Sequence, residues 1–236
     1  MQTAGKEKSV GHMAVLLLSD VKPEYRLWGW SRIVMGPQAL RHVPGLLFCK
    51  LLGSGHNGGF GLRPSASRQG LFALFDSAQA ASDFMAHSPA VNAYRERSHD
   101  FFLAALQTWS CRGTWDAQSL PVNVREPLQG PVAALTRASI RVRKAHSFWR
   151  HAPPSQTALE NASGCQLAVG LGEIPYLRQA TFSIWDSVAD MNAYARSGAH
   201  LQAIQAAIHK DYFSESMFAR FVPLQLQGQW QGRVYA

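Results

Sequence analysis

The stretch RQGLFALFDS (68–77) recurs as RQATFSIWDS (178–187), in which Arg, Gln, Phe, Asp and Ser keep a constant offset of 110 residues. The offset continues downstream without a gap and relates Phe84 to Tyr194, Ala93 to Ala203, and His99 to His209. Two flanking segments also correspond: LLGSG (51–55) to AVGLG (168–172), and, after a five-residue insertion, RGTW (112–115) to QGQW (227–230). Similarity over this span predicts two copies of one structural unit.

Each copy is predicted to contain a strand, a helix, two strands, a helix and a strand. The predicted first strands are MAVLLLSD (13–20) and PVAALTRASIRV (131–142), the second GLLFCKLL (45–52) and CQLAVGL (165–171), and the third GLFALFD (70–76) and ATFSIWD (180–186). YRLWGWSRIVM (25–35) and KAHSFWRHA (144–152) are the predicted first helices. The pairs Asp76-Ser77 and Asp186-Ser187 stand where the N-cap of the second helix is expected.

The predicted fold is therefore α+β, with two fused ferredoxin-like βαββαβ repeats. The boundaries are a tail at 1–11, a first repeat at 12–120, a linker at 121–130 and a second repeat at 131–236. Helices on one face of each sheet leave the other face to be buried, so the two sheets are expected to pack together in a barrel-like sandwich. A ligand cavity is then expected between a sheet and its helices.

The glycine-rich stretch GSGHNGGFG (53–61) contains the pattern G-x-G-x-x-G at Gly53, Gly55 and Gly58. A dinucleotide-binding loop would need a helix directly afterwards, but Phe60-Gly61-Leu62-Arg63-Pro64 is a poor helix start. The stretch is instead predicted to connect strands two and three of the first copy as an extended turn. A flap over a pocket is the functional alternative.

The composition indicates a globular chain with a basic surface. Its formal net charge is +8 and its pI about 9.8, which permits attraction to nucleic acid, anionic lipid or anionic cofactors. The aromatic residues are assigned to the core rather than to a basic strand, so no nucleic-acid partner is expected. Cys49, Cys111 and Cys165 are widely spaced, which argues against a disulfide framework and favours the cytoplasm. No signal peptide or membrane-spanning run is expected.

His200 is the most interesting titratable residue. It precedes Ile204 and Ile208 by four and eight residues in SGAHLQAIQAAIHK (197–210), so it lies along the apolar stripe of a predicted helix. Its counterpart in the first copy is Ala90. Two interpretations stay open: a core histidine bonded to backbone, or the axial ligand of a haem iron in an apolar cavity.

The basic segment TRASIRVRKAH (136–146) is predicted to place Arg137, Ser139, Arg141 and Arg143 on one face of a strand. A solvated outer face is one interpretation. The other is a basic rim that pairs with carboxylates such as haem propionates. No pair of carboxylates and no P-loop, G-x-S-x-G or H-E-x-x-H motif supports self-contained hydrolytic chemistry.

Three blocks carry a family resemblance: PVAALTRASIRVRKAHSFW (131–149), VGLGEIPYLRQATFSIWDS (169–187) and FSESMFARF (213–221). With these blocks in order, the chain from about Met13 to Gly232 resembles the spheroidene monooxygenase family of bacterial carotenoid biosynthesis. The resemblance implies a dimeric α+β barrel, here fused in one chain. It also implies a haem b oxygenase that adds an oxo group to an acyclic carotenoid, with O₂ and an external electron donor such as a ferredoxin.

The resemblance also suggests roles for individual residues. His200, ahead of Ala203 and Ile204, matches the position of an axial iron ligand, and Arg137 and Arg141 are expected as propionate partners. The resemblance does not identify a distal acid–base residue. Because a C40 polyene dissolves in a bilayer, the cationic surface is expected to dock on anionic lipid at the inner face of the membrane.

Two other functions remain open at this stage. A haem enzyme of the same fold could act on a small apolar substrate, with dehydratase- or peroxygenase-like chemistry. A non-catalytic module that binds haem or a lipophile is the third interpretation. A long channel would favour the carotenoid, and binding without turnover would favour the module.

Overall fold

The structure is a computed structural model that describes residues 11–56, 63–149, 159, 161–174, 176–196, 198, 201–202, 205 and 209–236. Residues 1–10 of the predicted tail lie outside this part. The elements of the first half are β1 (Met13–Val21), α1 (Arg26–Met35), β2 (Leu46–Gly55), β3 (Pro64–Phe75), α2 (Ala78–His87), α3 (Pro89–Arg97) and β4 (Ser98–Gly113). Those of the second half are β5 (Val132–Ile140), α4 (Ala145–Trp149), β6 (Cys165–Ile174), β7 (Arg178–Trp185), α5 (Val188–Ala195), β8 (Phe213–Trp230) and β9 (Arg233–Tyr235).

The strands form a closed antiparallel barrel. Their order is β4-β1-β3-β2-β6-β7-β5-β8-β9, and an additional pairing of β4 with β8 joins the ends of the first eight strands. Each half therefore has the strand order of a ferredoxin-like sheet, and the two sheets meet at two seams. The predicted α+β fold with a dimeric α+β barrel architecture is confirmed.

The two seams differ in length. β4 and β8 pair from Phe101↔Gln229 to Gly113↔Met217, whereas β2 and β6 pair only at Gly53↔Gly172 and Ser54↔Leu171. Gly53 and Gly55 thus belong to a strand, and the next strand begins at Pro64. Gly53 serves the seam rather than a phosphate-binding loop. Residues 57–62, which include most of the proposed flap, lie outside the described residues.

Strand registers correct one predicted correspondence. Gly53 lies opposite Gln69, and Gly172 lies opposite Gln179. Because Gln69 and Gln179 are related by the 110-residue offset, Gly53 corresponds to Gly172 and not to Gly170. The pairing of LLGSG (51–55) with AVGLG (168–172) is therefore wrong by two residues, since both segments contain the same two-residue glycine spacing.

Large apolar side chains fill the inside of the barrel. The inward residues of both halves form one cluster, and Phe72, Phe102, Phe182 and Phe221 are completely buried within it. The outward residues of the first half pack against α1, α2 and α3 in a second cluster, and those of the second half form a third. The packed interior stabilises the barrel and leaves ligands to the outer faces and the barrel ends.

The predicted N-caps are confirmed. The Ser77 hydroxyl accepts a hydrogen bond from the Ala80 amide at 3.3 Å, and Ser187 accepts one from the Asp190 amide at 3.1 Å. The second helix of the first half, however, is divided into α2 and α3. Ser88 ends α2 and caps α3, because Pro89 cannot donate the backbone hydrogen bond that a continuous helix requires.

The Gly-x-Trp segments at the two barrel ends require glycine. Gly113 and Gly228 have φ values of +81° and +98°. A Cβ atom at Gly113 would lie 2.0 Å from the Ser216 carbonyl oxygen, and one at Gly228 would lie 2.1 Å from that of Phe101. Only glycine permits this backbone conformation and this close approach of the neighbouring strand.

Six charged side chains close one end of the barrel and are called the mouth cluster here. They are Lys50, Asp116, Arg137, Glu173, Arg178 and Glu215. Arg137 is the centre, because its guanidinium pairs with Glu215, with Glu173 at 3.4 Å and with Asp116 at 3.7 Å. Lys50 of the first half reaches Glu173 of the second at 3.3 Å, so the cluster also ties the halves together.

Glu215 is the most strongly perturbed carboxyl group of the mouth cluster. Partial burial alone would raise its pKa. Hydrogen bonds from the Ala117 amide, the Thr114 hydroxyl and Arg137, together with the charge of Arg137, outweigh burial and lower the pKa from 4.5 to about 2. Glu215 in the folded chain is therefore ionised at pH values well above 2.

Replacement of this carboxylate is expected to make stability less dependent on pH. Because the pKa of Glu215 is lower in the folded chain, its contribution is complete above about pH 4.5 and is lost as the pH falls to about 2. Glu215→Gln should lower the free energy of unfolding at pH 7 by about 1–2 kcal/mol after solvent screening, with a smaller difference at pH 3. Urea unfolding at both pH values measures this. Exposed Glu126→Gln is the control, and equal effects of the two variants would contradict the assignment.

Candidate functional site

The outer face of the first-half sheet holds an apolar pocket. The pocket has a volume of about 240 Å³ and lies between the sheet and the helices α1 and α3. Leu51 and Leu71 form its floor, and Trp28, Ala90 and Tyr94 line its walls. Tyr94 donates a hydrogen bond to Gln69 at 3.2 Å, and burial raises the pKa of its phenol. This pocket matches the predicted cavity between a sheet and its helices.

The corresponding face of the second half has a different surface. Leu17 pairs with Leu71 in the first half, and both are buried. In the second half the equivalent cross-strand pair is Thr136 with Thr181, and both are half-exposed. Two leucines of the first half are thus replaced by two smaller, polar residues in the second half.

Two alanines lie on the same side of the second-half sheet, at the border of the third apolar cluster. Ala134 precedes Thr136 on the same face of β5, Ala168 contributes from β6, and both are half-exposed. Phe218, the neighbour of Thr136 on β8, is 44% exposed. We call the surface formed by Ala134, Thr136, Ala168, Thr181 and Phe218 the threonine face.

Arg220 supplies a positive charge beside the threonine face. It pairs with Ala134 across β5 and β8, and its guanidinium lies 5.4 Å from the ring centroid of Trp109. No carboxylate in the described part of the chain forms an ion pair with it. The Nε1 atom of Trp109 is buried without a hydrogen-bond partner. The Arg220 guanidinium can therefore pair with an anionic group of a ligand at the edge of this face.

His200, the predicted iron ligand, lies outside the described residues. Its counterpart at the 110-residue offset, Ala90, lines the first-half pocket. The role of His200 remains a prediction, and the equivalent position in the first half faces a cavity between sheet and helix.

The structure does not bring the two predicted propionate partners together. Arg137 is 1% exposed and points into the barrel end, on the opposite side of β5 from the threonine face. Arg141 follows the end of β5 and forms an exposed ion pair with Asp211 at 3.2 Å. The prediction of one basic face along residues 137–143 is wrong, because the strand ends at Ile140 and a 3₁₀ turn, Val142–Lys144, follows.

Sequence reasoning did not identify Thr136, Thr181 or Arg220. The sequence contained one indication for Thr181, because the 110-residue offset aligns this polar residue with the apolar Leu71. The counterpart of Thr136 becomes visible only through the strand register, because the first strands of the two copies do not share that offset.

A second concavity, the seam cleft, lies where β2 meets β6. Its volume is about 110 Å³. Trp30 and Ile33 of α1 line one side, Trp149 and Tyr176 line the other, and Gln179 lies in its floor. Gln179 and Thr181 project from the same side of β7 and are separated by about 6–7 Å along the strand. The seam cleft therefore adjoins the threonine face.

The described residues contain neither a further metal centre nor a membrane-spanning helix. In that part of the chain, no group of three or more His, Cys, Asp or Glu side chains is arranged to hold a metal ion. None of its helices has the length and apolar character needed to cross a bilayer.

Comparison with solved structures supports the fold. Aldoxime dehydratase in complex with butyraldoxime superposes with a TM-score of 0.57 at 10% identity, covering 90% of this chain and 79% of the other. At this identity the likeness concerns the architecture alone. No protein-family model matches the chain.

Comparison with characterised sequences gives much stronger matches. Spheroidene monooxygenase of Rubrivivax gelatinosus is 56% identical over 225 residues, which cover 95% of this chain and 87% of that protein. Spheroidene monooxygenase of Rhodobacter capsulatus is 37% identical over 210 residues, with 87% of each chain covered. The protein is an oxygenase enzyme and belongs to the spheroidene monooxygenase family.

Proposed function

We propose that this chain is a haem-dependent monooxygenase that converts a methylene group of an acyclic carotenoid such as spheroidene into a ketone. The substrate class follows the names of the two relatives. The observation that carries the cofactor proposal is the contrast between the two outer faces. Leu17 and Leu71 are buried on the first face, whereas the second presents the half-exposed Thr136 and Thr181.

The residues of the threonine face fit a haem. The macrocycle is flat and apolar and carries two carboxylates, so it needs a broad surface of small side chains and a cation near its edge. Thr136, Thr181 and Ala134 supply the surface, Phe218 supplies an apolar contact, and Arg220 supplies a guanidinium that pairs with no described carboxylate. His200 would provide the axial nitrogen. Its counterpart Ala90 borders the equivalent space in the first half.

When bound, haem supplies the binding and activation of O₂. In each hydroxylation one oxygen atom enters a C–H bond of the carotenoid, and the other leaves as water after uptake of two electrons and two protons. A second hydroxylation at the same carbon gives a hydrated ketone, which loses water. The electrons come from an external donor such as a ferredoxin. The chain's part is to orient the polyene and to exclude bulk water from the threonine face.

Removal of the proposed axial ligand is expected to abolish the haem spectrum. The unaltered protein, expressed with a haem precursor, should show a strong Soret band that is lost or shifted in His200→Ala. His209→Ala is the matched control, because His209 lies in the same segment and is exposed. Absorption spectra and the haem-to-protein ratio measure the effect. A Soret band that is identical in both variants would rule out His200 as the ligand.

Filling the threonine face is expected to exclude the cofactor without unfolding the chain. Thr136→Leu/Thr181→Leu reproduces the leucine pair that the first half buries at these positions. The haem content should fall at least about tenfold, because two added leucines occupy the proposed space. Thr136→Ser/Thr181→Ser should retain haem. Circular dichroism confirms folding, and normal haem content in the leucine variant would place the cofactor elsewhere.

The substrate is tested by turnover. With reductant, a ferredoxin system and O₂, the haem-loaded protein should convert spheroidene into a product with one oxygen more and two hydrogens fewer, as measured by chromatography and mass spectrometry. Binding of haem and carotenoid without any product would favour the non-catalytic module instead.

A further inference from the structure

Helix α1 exposes large apolar side chains on the side away from its sheet. Leu27 is 87% exposed, Val34 is 82% exposed and Trp30 is 43% exposed. Their spacing of three and four residues places them on one face of the helix, which we call the α1 outer face. Soluble proteins rarely leave several neighbouring large apolar residues in water, so this surface indicates a partner.

The α1 outer face forms one lip of the seam cleft. Trp30 belongs both to this face and to the wall of the cleft. The opposite lip carries Tyr176, which is 47% exposed, and Ile174, which is 44% exposed. The entrance is thus bordered on both sides by exposed apolar groups. Trp and Tyr, with an apolar ring and a polar atom, favour the boundary between water and lipid.

The surroundings of the entrance are basic. Residues 22–41 contain four cations, Lys22, Arg26, Arg32 and Arg41, and one anion, Glu24. Arg26 and Arg41 are exposed and make no ion pair with any described carboxylate. In the second half, exposed Arg143 lies in the 3₁₀ turn Val142–Lys144, directly before α4. Long basic side chains beside an apolar surface are suited to anionic lipid headgroups.

We propose that the α1 outer face and the lip formed by Ile174 and Tyr176 dock on an anionic bilayer, so that the seam cleft is the entrance for the carotenoid. The nature of the substrate rests on the proposed function, whereas the docking itself rests on the exposed apolar residues and the surrounding cations. Since the cleft adjoins the threonine face at Gln179, a polyene entering from lipid reaches the proposed cofactor site without crossing water.

Co-sedimentation with phosphatidylcholine vesicles, with and without phosphatidylglycerol, tests this proposal. The test variant is Leu27→Glu/Val34→Glu, and the matched control is Leu128→Glu/Val234→Glu, whose side chains are 100% and 72% exposed elsewhere. Both variants add the same charge. Partitioning onto the anionic vesicles should fall at least about tenfold in the test variant and less than about twofold in the control.

Equal losses in the two variants, or no binding of the unaltered protein to anionic vesicles, would overturn the proposal. The proposal would also be overturned if Leu27→Glu/Val34→Glu converted a dimer into a monomer and still bound vesicles. The α1 outer face would then join two copies of the chain. In detergent micelles the control variant Leu128→Glu/Val234→Glu should turn over carotenoid as the unaltered protein does. Absence of turnover in every variant would refute the proposed function and leave the vesicle result intact.

Discussion

The closed barrel is the constraint on which the rest of the molecule depends. Eight strands enclose an interior just wide enough for side chains, and here Phe72, Phe102, Phe182 and Phe221 fill it. These side chains occupy the space inside the barrel that a cofactor or a long polyene would need. Binding must therefore occur on the outer faces, beneath the helices, or where the two sheets meet. The short β2–β6 seam provides such a place, because only two residue pairs join these strands.

The two halves have similar topology, but the outer faces of their sheets carry different side chains. In the first half, Leu17 and Leu71 stabilise the contact between sheet and helices by their burial. In the second half, Thr136 and Thr181 give up part of that stabilisation. The proposed haem site accounts for this loss, because a site must keep room for its ligand. The exposed apolar side chains of α1 are a second feature that is unfavourable in water. They reduce solubility at one surface, and the proposed contact of that surface with lipid explains why they are present.

Much of the fold could be predicted from the sequence, because the alternating apolar strands, the N-cap serines and the Gly-x-Trp segments each have local signatures. The repeat did not predict two features. One is the break between α2 and α3 at Pro89, and the other is the strand register that makes Gly172 the counterpart of Gly53. The site was less predictable. Arg137 resembled a surface cation, but its strand turns it toward Glu215 and Glu173. The proposed roles of Arg220 and Thr136 depend on neighbours that are distant in the chain, so the sequence alone does not reveal them.

The central claim is that haem binds beneath the helices of the second half and not of the first. Hydrogen exchange of the unaltered protein, with and without one equivalent of haem, tests it most directly. Haem should slow exchange in peptides that cover α5 and the following segment to residue 212, and leave those of α2 and α3 unchanged. Slower exchange in α2 and α3 instead, or equally in both halves, would contradict the account.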